Sequence, residues 1–511
     1  MSNVNYKSFK SGTDIRGVAV ETPGSPVTLT DETVKAMAAG FGRWLCGRNG
    51  KTPGALKIAV GHDSRVSAGR ISRAVEEALT DMGFTVFDCG LSSTPAMFMI
   101  TVDGGADAAV QITASHHPFD RNGLKFFTPG GGLEGEEITE ILDLAAKGEV
   151  QTALGGRVIE FDYMPRYAEL LRQMICRALG KTEEDAPLAG FHFVVDAGNG
   201  AGGFYASDVL ERLGADLSGS QFLEPDGMFP NHIPNPENPA AMESIRKAAV
   251  DNHADLGIIF DTDVDRAGCV DASGEEINRN VLIALAASIA LEGNPGGTIV
   301  TDSVTSDGLK TFIEQTLGGV HHRFKRGYKN VINEAVRLNK QGVNCPLAIE
   351  TSGHAALREN YFLDDGAYLI TKIIIKLAAL RTEGKTLDDL IGGLSKPAEE
   401  AELRFSILAP DFCAYGERVL KELEAYCRRQ AGWTIAGDNR EGLRVSVDGG
   451  DGWFLLRMSV HDPILPMNLE SNLPGGVRKT AAALLDFFAG FDRLDITPLH
   501  TFLAEKGGAA L

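Results

Sequence analysis

Long hydrophobic runs and paired cysteines are both missing from this sequence. The longest apolar stretches, such as residues 281–291, are too short to cross a bilayer as a helix. The amino terminus has no apolar segment followed by a cleavage site, which argues against a signal peptide. Seven cysteines occur without a C-x-x-C pair or a metal-ligand spacing, which is typical of a reducing compartment. We therefore expect a cytoplasmic protein that does not bind a membrane.

Positive charge is scarce as well. Lysine and arginine number 49 against 69 aspartate and glutamate residues, so the formal net charge is −20. Binding to nucleic acid needs a basic face, and this balance therefore argues against a nucleic-acid partner. A small anionic ligand would need positive charge concentrated at its own site, with the acidic residues elsewhere on the surface.

The length and the composition of the chain predict several globular domains. The 511 residues suit three or four domains, and 43% hydrophobic with 23% charged residues is ordinary for a globular protein. Strand–loop–helix patterns recur as far as Lys396. Beyond it, alternating segments at Leu443–Val447, 452–459 and 466–470 predict antiparallel strands. We expect three α/β units followed by one α+β domain.

The rest of the chain is organised around residues 109–127, AVQITASHHPFDRNGLKFF. The apolar start predicts a strand that ends at a polar loop, residues 113–118, and Asn122 with Gly123 predicts a turn before a second apolar run. Ser115 thus lies on a strand-ending loop, with imidazoles beside it and a lysine close behind. A polar turn between two strands is the simpler interpretation, and the G-x-S-x-G context of an α/β-hydrolase is missing.

A second polar cluster directly follows the buried strand predicted at Leu256–Phe260. Asp261, Asp263 and Asp265 occupy alternate positions of the next loop, where three carboxylates can converge on one hard cation. An EF-hand is excluded because its glycine and glutamate positions are not matched. An acidic surface turn is one alternative. The loop of haloacid-dehalogenase-type phosphatases, whose first aspartate is the nucleophile, is another, because the D-x-D start resembles it.

Two further predicted loops are rich in glycine. The loop predicted at residues 11–17 carries Arg16 between two glycines, an arrangement that suits close approach to an anion. Residues 198–203 follow a strand predicted at 191–195 and match the dinucleotide fingerprint G-x-G-x-x-G. Lone matches to that fingerprint are common, so we do not predict a dinucleotide site.

Taken in order, these motifs resemble the α-D-phosphohexomutase family in its phosphomannomutase/phosphoglucomutase form. The loop around Ser115 resembles the family's active-site loop T-[AG]-S-H-N-P…N-G-x-K, with His117 in place of asparagine. Residues 261–266 resemble its magnesium loop D-G-D-x-D-R, and residues 350–354 resemble its sugar loop G-E-x-S-G-H. The similarity covers the chain from about residue 11 to residue 470.

A fourth motif, residues 457–466, resembles the family's phosphate-binding loop R-x-S-x-T-E-P-x-x-R. It keeps Arg457 and Ser459, but His461 replaces threonine and Pro466 replaces the closing arginine. Proline has neither a charge nor a donor, which predicts weaker binding of phosphate by this loop.

The resemblance implies a role for each matched residue. The implied catalytic residues are Ser115, Lys125, Arg16, His116 and His354. The implied metal ligands for Mg²⁺ are Ser115, Asp261, Asp263 and Asp265. The implied substrate-binding residues are Gly327, Lys329, Glu350, Ser352, Gly353 and His354, and the implied phosphate-binding residues are Arg457 and Ser459. Lys125 would be the base, with its pKa lowered by the metal and neighbouring cations, and Arg16 would orient it.

The reaction implied by the resemblance is the reversible conversion of a hexose 1-phosphate into a hexose 6-phosphate, with mannose or glucose as the sugar. A phosphoserine and a hexose 1,6-bisphosphate would be the intermediates, and the bisphosphate would also act as an activator. The partner is then a small phosphosugar, and the protein is expected to be a monomer or a homodimer. A sugar-phosphate phosphatase and a non-catalytic sugar-phosphate-binding relative are the alternatives.

The fold implied by the resemblance is α/β. It has three tandem α/β domains with mixed sheets and a C-terminal α+β domain, arranged around a central cleft. We place the domains at residues 1–155 with the phosphoserine loop, 156–278 with the metal loop, 279–396 with the sugar loop and 397–498 with the phosphate loop. A tail is expected at residues 499–511.

Overall fold

The computed structural model describes residues 4–148, 152–459 and 462–505. The chain forms two compact units, and each combines separate parts of the sequence. The first unit contains Met1–Ala290 and Ser352–Leu390, and the second contains Leu291–Thr351 and Ile391–Leu511. The chain therefore passes between the units more than once.

The amino-terminal part of the first unit is an eight-stranded mixed sheet with four helices. The strands are β1 (Lys10–Ser11), β2 (Asp14–Val18), β3 (Lys57–His62), β4 (Thr85–Leu91), β5 (Ala108–Ile112), β6 (Arg121–Thr128), β7 (Gly131–Gly132) and β8 (Arg157–Glu160). The helices are α1 (Asp31–Asn49), α2 (Ala68–Asp81), α3 (Thr94–Val102) and α4 (Gly135–Lys147). The strand order is β1-β2-β6-β5-β3-β4-β8, with β7 paired to β6, and β5, β3, β4 and β8 run parallel.

Helices cover both faces of this sheet. Neighbouring residues of β6 point to opposite sides: Phe126 packs against Phe41 of α1 with ring centroids 4.6 Å apart, and Phe127 packs against Phe98 of α3 at 6.2 Å. Strand β5 is buried along its whole length, as expected for a parallel strand between two layers of helices. The first domain is therefore an α/β/α sandwich, and β5 delivers Ser115 to the carboxyl end of its parallel strands.

A smaller sheet follows within the first unit. Its elements are α5 (Met164–Leu179), β9 (Phe193–Asp196), α6 (Pro239–Asp251), β10 (Leu256–Phe260), β11 (Ala267–Asp271) and β12 (Glu276–Ile277). The strand order is β12-β11-β10-β9, with β9 parallel and β11 antiparallel to β10. Because Phe260 pairs with Ala267, residues 261–266 form the tight connection of the β10–β11 hairpin.

The next part of the chain is divided between the units. Helix α7 (Arg279–Glu292) begins in the first unit and ends in the second. The second unit then has three parallel strands in the order β14-β13-β15, namely β13 (Thr298–Thr301), β14 (Val320–Arg323) and β15 (Leu347–Ile349), with α8 (Asp307–Thr311) and α9 (Tyr328–Lys340). The first unit regains the antiparallel pair β16 (Ala355–Leu357) and β17 (Leu363–Asp364) and helix α10 (Gly366–Thr382), which α11 (Asp388–Ile391) follows.

The carboxy-terminal part of the second unit is an antiparallel sheet with three helices. The elements are β18 (Glu399–Ile407), α12 (Phe412–Cys427), β19 (Thr434–Ile435), β20 (Leu443–Val447), β21 (Gly452–Leu456), β22 (Ile464–Ser471), α13 (Gly476–Phe488), β23 (Leu494–Asp495) and α14 (Thr497–Ala504). The strand order is β19-β20-β21-β22-β18-β23. Three α/β segments and a final α+β segment are the fold class that the sequence predicts.

Two local predictions around the first sheet are wrong. Asn122 and Gly123 lie inside β6 and do not form a turn. The glycine is needed there because a Cβ would lie 2.1 Å from the carbonyl oxygen of Ile15 in β2, and the asparagine amide donates to Ser67 Oγ at 2.9 Å. Likewise, Arg16 lies in β2 rather than in a loop.

The tail predicted from residue 499 begins inside helix α14. Leu499 is fully buried in the hydrophobic core of the carboxy-terminal sheet, where α14 packs beside α13. The packed part of this segment therefore reaches Leu503, and the four-domain division of the chain stays a prediction.

Candidate active site

Ser115 lies on the loop that leaves β5, and its backbone has an uncommon conformation. Its φ angle is +49°, in the left-handed region that costs a non-glycine residue roughly 1–2 kcal/mol. Its amide donates to Thr113 Oγ1 at 2.9 Å. The side chain is buried, and Oγ donates to Asp261 Oδ2 at 3.1 Å and accepts from Arg266 Nη2 at 3.2 Å. The serine of the first motif therefore touches the acidic loop directly.

The three carboxylates of the β10–β11 connection converge. Oxygen atoms of Asp261, Asp263 and Asp265 all lie within 4.8 Å of one another, and all three residues are buried. Within the described residues, Asp263 Oδ1 and Asp265 Oδ1 accept no hydrogen bond. Buried anionic oxygens without partners are costly, and a set of carboxylate oxygens suits a hard divalent cation. The residues present therefore fit a magnesium ion.

Lys125 reaches the same carboxylates from β6. Its Nζ donates to Asp265 Oδ2 at 2.5 Å and to Asp263 Oδ2 at 2.9 Å. Burial alone would lower the pKa of Lys125, but the two carboxylates raise it well above its ordinary value. This direction holds for the site without a cation, and the lowering expected when a metal is bound stays a prediction. A divalent cation on the same carboxylates would weaken their effect, because its own charge competes.

Arg266 links Ser115 to the first of the two adjacent imidazoles. Its Nη2 donates to His116 Nδ1 at 2.6 Å, and its Nε donates to Asp261 Oδ2 at 3.2 Å. A guanidinium can only donate, so Nδ1 of His116 must accept and the ring is neutral. Desolvation and the charge of Arg266 lower the pKa of His116 to about 2. His116 can therefore accept hydrogen bonds, but it does not supply a proton at neutral pH.

His117, which stands where the family has asparagine, stacks on His116 with ring centroids 5.4 Å apart. Desolvation and the charges of Arg16 and Arg65 lower the pKa of His117 to about 4. This ring is also neutral at neutral pH, and the two stacked imidazoles add no positive charge beside Ser115.

The structure places Arg16 against the backbone that precedes Ser115. Its guanidinium donates to the carbonyl oxygen of Thr113 and pairs with Asp14 Oδ2 at 2.7 Å. Within the described residues these bonds support the end of β5 and do not go to Lys125. The implied role of Arg16 in orienting the lysine stays a prediction.

Ser352, Gly353 and His354 belong to the first unit and lie beside the acidic loop. His354 Nδ1 is 2.8 Å from Ser352 Oγ, and its Nε2 is 3.8 Å from Asp265 Oδ1. Burial and the neighbouring cations lower the pKa of His354 to about 3. Gly353 has a φ of +92°, and a Cβ there would lie 2.9 Å from the carbonyl oxygen of Ala267. Glycine therefore permits this loop to approach the β10–β11 hairpin closely.

The other predicted substrate residues belong to the second unit. Glu350 Oε1 accepts from the amide of Gly327 at 2.6 Å, and Gly327 has a φ of +114°. Lys329 lies in the first turn of α9, directly after this glycine. Glu350 and Gly327 therefore lie on two loops that contact each other after β15 and β14, and Lys329 lies in the helix that follows Gly327.

Arg457 and Ser459 lie on the loop between β21 and β22, also in the second unit. Arg457 is buried, and its Nε has no hydrogen-bond partner within the described residues. Burial lowers the pKa of Arg457, and the charge of Glu441 opposes that effect. Glu441, which lies between β19 and β20, also accepts from the amide of Arg326 at 3.1 Å. A buried guanidinium nitrogen without a partner suits an anion.

Pro466 interrupts the ladder between β21 and β22. Its carbonyl oxygen accepts from the amide of Arg457 at 3.1 Å, but proline has no N–H to donate in return. The paired register therefore ends at Leu456 and Met467. This is the physical reason why the strand predicted to reach Ser459 ends earlier.

Arg404 is the residue directly opposite Pro466 in the register of β18 and β22. Opposed residues of neighbouring strands place their side chains on the same face. The Arg404 guanidinium is exposed and pairs with Glu402 at 2.7 Å. Val460 and His461, on the loop between β21 and β22, lie outside the described residues.

Thr94 and Arg266 complete the site, and the sequence analysis assigned neither a role. Thr94, at the start of α3, donates from Oγ1 to Asp263 Oδ2 at 2.5 Å and from its amide to the Asp263 carbonyl at 2.8 Å. Arg266 has a sequence signal, since it ends the D-x-D-x-D-R pattern. Thr94 has none, because 169 positions separate it from its partner.

A buried serine bonded to a carboxylate triad, with a lysine and an arginine beside it, suits metal-assisted phosphoryl transfer. Together with the tandem α/β segments and the carboxy-terminal α+β segment, this site defines an enzyme of the phosphotransferase class.

Comparison with known proteins identifies the family. The family models described as phosphoglucomutase/phosphomannomutase, alpha/beta/alpha domains I, II and III match residues 8–152, 165–274 and 278–397. A phosphoglucomutase of Neisseria gonorrhoeae is 31% identical over 481 residues, which cover 94% of this chain and 96% of the relative. A phosphomannomutase/phosphoglucomutase of Pseudomonas putida is 30% identical over 462 residues, which cover 90% of each chain. The chain belongs to the phosphoglucomutase/phosphomannomutase family, a family of hexose phosphate mutases.

A solved structure agrees with this assignment. The phosphoglucomutase/phosphomannomutase family protein from Burkholderia thailandensis matches with a TM-score of 0.77 at 25% identity, and the match covers 95% of this chain and 98% of that chain. The family and the fold class predicted from the motifs are confirmed. In the described part of the chain, no helix is both long enough and apolar enough to cross a membrane.

Proposed function

We propose that the chain interconverts hexose 1-phosphate and hexose 6-phosphate through a phosphoserine at Ser115. The observation that carries this proposal is the position of Ser115 Oγ, bonded to Asp261 of the carboxylate triad and to Arg266. The names of the two relatives favour glucose and mannose as the sugars.

In the proposed reaction the phosphoryl group moves from Ser115 Oγ to a free hydroxyl of the sugar phosphate. The P–O bond to serine breaks, a P–O bond to the sugar forms, and the hydroxyl proton passes to a base. The product is a hexose 1,6-bisphosphate. Its other phosphoryl group is then transferred to Ser115 Oγ, and the base gives the proton to the sugar oxygen that this phosphoryl group has left. Added bisphosphate would recharge any enzyme that has lost its phosphoryl group, and we therefore propose it as the activator.

The side chains of the first unit divide the work of this transfer. A magnesium ion bound by Asp261, Asp263, Asp265 and the phosphate on Ser115 would supply positive charge at the transferred group. Arg266 donates to Ser115 Oγ and is placed to stabilise the negative charge that develops there as the phosphoryl group leaves. Lys125 is the proposed proton carrier, and its raised pKa means that it acts as a base only after it has released a proton.

The remaining predicted site residues would bind the substrate. We propose that Glu350, Ser352, Gly353 and His354, with Gly327 and Lys329, bind the sugar, and that Arg457 and Ser459 bind its distal phosphate. His116 and His354 are neutral because their pKa values are lowered to about 2 and about 3, so we assign them as hydrogen-bond partners.

Intact mass spectrometry of the purified chain tests the proposal. After incubation with glucose 1,6-bisphosphate and Mg²⁺, wild type should gain one phosphoryl group, mapped to Ser115, and Ser115→Ala should gain none. Ser64→Ala is the matched control, because this nearby serine has a buried Oγ outside the triad. A phosphoryl group that persists in Ser115→Ala and maps to Asp261 would contradict the mutase and favour a phosphatase.

A panel of glucose, mannose and glucosamine 1-phosphates then identifies the sugar, with product appearance as the readout. Turnover should depend on a catalytic amount of the matching 1,6-bisphosphate. The absence of turnover with every sugar, in a protein that is folded and phosphorylated, would favour a non-catalytic relative.

We further propose a cytoplasmic monomer or homodimer. All seven cysteines lie among the described residues and form no disulfide bond, as expected in a reducing compartment. Light scattering on the purified chain measures its mass in solution, and a higher oligomer would contradict this proposal.

A further inference from the structure

Arg65 lies between β3 and α2 and is buried against the loop that carries Ser115. Its Nη2 donates to the carbonyl oxygens of Ser115 and His117, each at 2.5 Å. Its Nη1 donates to the carbonyl oxygens of Pro118 at 2.6 Å and Arg121 at 2.9 Å. Three backbone oxygens of the Ser115 loop and that of Arg121, the first residue of β6, therefore converge on a single guanidinium.

The guanidinium is itself fixed from two other sides. Its Nε lies 3.3 Å from Asp63 Oδ2, and both side chains are fully buried. The ring of Phe229 covers the guanidinium with its centroid 5.2 Å away. The loop that carries this ring comes close because residue 227 is glycine, where a Cβ would lie 2.3 Å from the amide nitrogen of Val66. Backbone oxygens, a carboxylate and an aromatic ring therefore surround the Arg65 guanidinium.

These contacts include the backbone of Ser115 itself. A φ of +49° at this residue turns its carbonyl oxygen toward Arg65 and its side chain toward Asp261. Such a conformation persists only where its surroundings hold it. A lysine at position 65 would keep the positive charge, but it has three donors on one nitrogen and lacks the planar fork that reaches four acceptors.

We propose that Arg65 is a positioning residue for phosphoryl transfer. It holds residues 115–121 so that Ser115 Oγ faces the carboxylate triad, and it acts only through the backbone of that loop. The proposal rests on the proposed function, in which Ser115 carries the phosphoryl group.

The test compares full-length wild type with Arg65→Lys, Arg70→Lys and Phe229→Ala in Mg²⁺. Arg70 on α2 is the matched control, because its guanidinium also donates to two carbonyl oxygens, those of Ala19 and Leu29, away from the Ser115 loop. Three quantities are measured: the rate of phosphoryl uptake from glucose 1,6-bisphosphate by quenched intact mass, kcat with KM for glucose 1-phosphate, and amide exchange of residues 113–123. Thermal unfolding establishes that each variant is folded.

Arg65→Lys should lose about 100-fold in uptake rate and in kcat, the size of effect that a misplaced reacting group produces. KM should change by less than about threefold, since Arg65 is not assigned to substrate binding. The loop amides should exchange faster, and Arg70→Lys should match wild type in all three measurements.

Normal uptake by Arg65→Lys, a rise in KM as large as the fall in kcat, or an equal loss in Arg70→Lys would each overturn the proposal. If Arg65→Lys does not fold, Phe229→Ala decides. Removal of the covering ring should slow uptake by about 2- to 5-fold and speed loop exchange, and wild-type values would reject the proposal. Wild type that takes up no phosphoryl group at Ser115 rejects the proposed function instead, and loop exchange in Arg65→Lys then still reports whether Arg65 holds the loop.

Discussion

At the scale of single residues, Asp263 shows how the site is built around unpartnered atoms. One of its carboxylate oxygens accepts from Thr94 Oγ1 at 2.5 Å and from Lys125 Nζ at 2.9 Å, and the other accepts nothing within the described residues. The side chain is fully buried. A buried anionic oxygen without a donor destabilises the fold unless a cation satisfies it. The unpartnered oxygens therefore lower the stability of the protein without a cation, and a bound divalent ion would satisfy them.

We expect Mg²⁺ to stabilise the wild-type fold and to do so through this triad. A ligand at 100 times its Kd adds about 2.7 kcal/mol to the free energy of unfolding, which thermal unfolding detects easily. Asp263→Asn removes one charged ligand, so most of the Mg²⁺-induced rise in Tm should vanish together with activity. Asp271→Asn is the control, since Asp271 is also buried on β11 but lies outside the triad. An unchanged rise in Asp263→Asn would count against a metal at these carboxylates.

Pro466 gives a second prediction at this scale. A guanidinium–phosphate bond contributes roughly 1.5–3 kcal/mol, so Pro466→Arg should lower KM by about 10-fold or more and reduce the need for added bisphosphate. Pro466→Ala is the matched control, because it restores the missing N–H to the ladder without adding charge.

Arg404 supplies the outcome that would contradict this prediction. It is the cross-strand neighbour of Pro466, and its exposed ion pair with Glu402 is weak enough to yield to a phosphate. If Arg404 already contacts the phosphate, Pro466→Arg will leave KM unchanged and Arg404→Ala will raise it.

At the scale of elements, contact with the β10–β11 hairpin explains why the turn after β9 is rich in glycine. A Cβ at Gly200 would lie 2.5 Å from the carbonyl oxygen of Thr262, and the amide of Ala201 donates to that oxygen at 2.8 Å. The glycine therefore lets one turn press directly on the loop that holds the triad. The dinucleotide fingerprint matched this segment because both uses need a backbone without a side chain.

Gly200→Ala should lower the free energy of unfolding by about 1–3 kcal/mol and weaken Mg²⁺ binding, because the added methyl group displaces Thr262. Denaturant unfolding and metal titration by calorimetry measure the two effects. Gly47→Ala in α1 is the control, since nothing lies within 4 Å of a Cβ there, and it should stabilise the protein by about 0.5–1 kcal/mol. Normal metal affinity in Gly200→Ala would show that the turn does not support the triad.

The same turn begins at a buried ion pair that responds to pH. His232 Nε2 lies 2.9 Å from Asp196 Oδ2, and its Nδ1 lies 3.0 Å from the carbonyl oxygen of Ile233. Both ring nitrogens thus face acceptors, which requires the doubly protonated, charged imidazole. Burial alone would lower the pKa of His232, but its bond to Asp196 raises it above the ordinary value near 6.5.

A raised folded-state pKa fixes the sign of the pH effect. The stabilising contribution of His232 is complete below the unfolded-state pKa near 6.5 and is lost as the pH rises through the raised folded-state value. Wild type should therefore exceed His232→Gln in free energy of unfolding by more at about pH 5.5 than at about pH 9. A difference that stays constant, or grows toward high pH, would contradict a charged His232.

At the scale of the whole molecule, each compact unit is assembled from separate parts of the chain. The first unit needs Ser352–Leu390 in addition to its first 290 residues. Helix α10 of that segment packs against α5. The Tyr167 hydroxyl donates to Asp365 Oδ1 at 2.6 Å, and the Tyr205 hydroxyl lies 2.8 Å from Thr371 Oγ1. The first unit is therefore incomplete without a segment that follows part of the second.

We expect a fragment of residues 1–290 to be poorly folded on its own. The surface that α10 covers would be exposed, so the fragment should bind a hydrophobic dye, unfold without cooperativity and aggregate. Co-expression with residues 291–511 supplies the missing segment and should restore a soluble complex. Cooperative unfolding of the fragment alone, with Mg²⁺ binding like that of the full chain, would contradict this dependence.

The sequence by itself determined the elements that depend on local pattern. The apolar run at Leu256–Phe260 predicts β10 without error, and Leu443–Val447 predicts β20, because strand formation there follows from side chains within a few positions. The acidic triad was visible for the same reason, since its three members follow one strand at alternate positions. The order of the motifs along the chain was enough to identify the family.

Only the tertiary structure decided which of these loops meet and what their charges become. The bond from Ser115 to Asp261 spans 146 positions, and those from Lys125 to Asp263 and Asp265 span 138 and 140. The protonation of Lys125 depends on those distant carboxylates. Asn122 and Gly123 form part of strand β6 instead of the expected turn, because β2 pairs closely with them. Local pattern reports the conformation of a segment, whereas burial, pKa and contact arise from groups that the fold brings together across the chain.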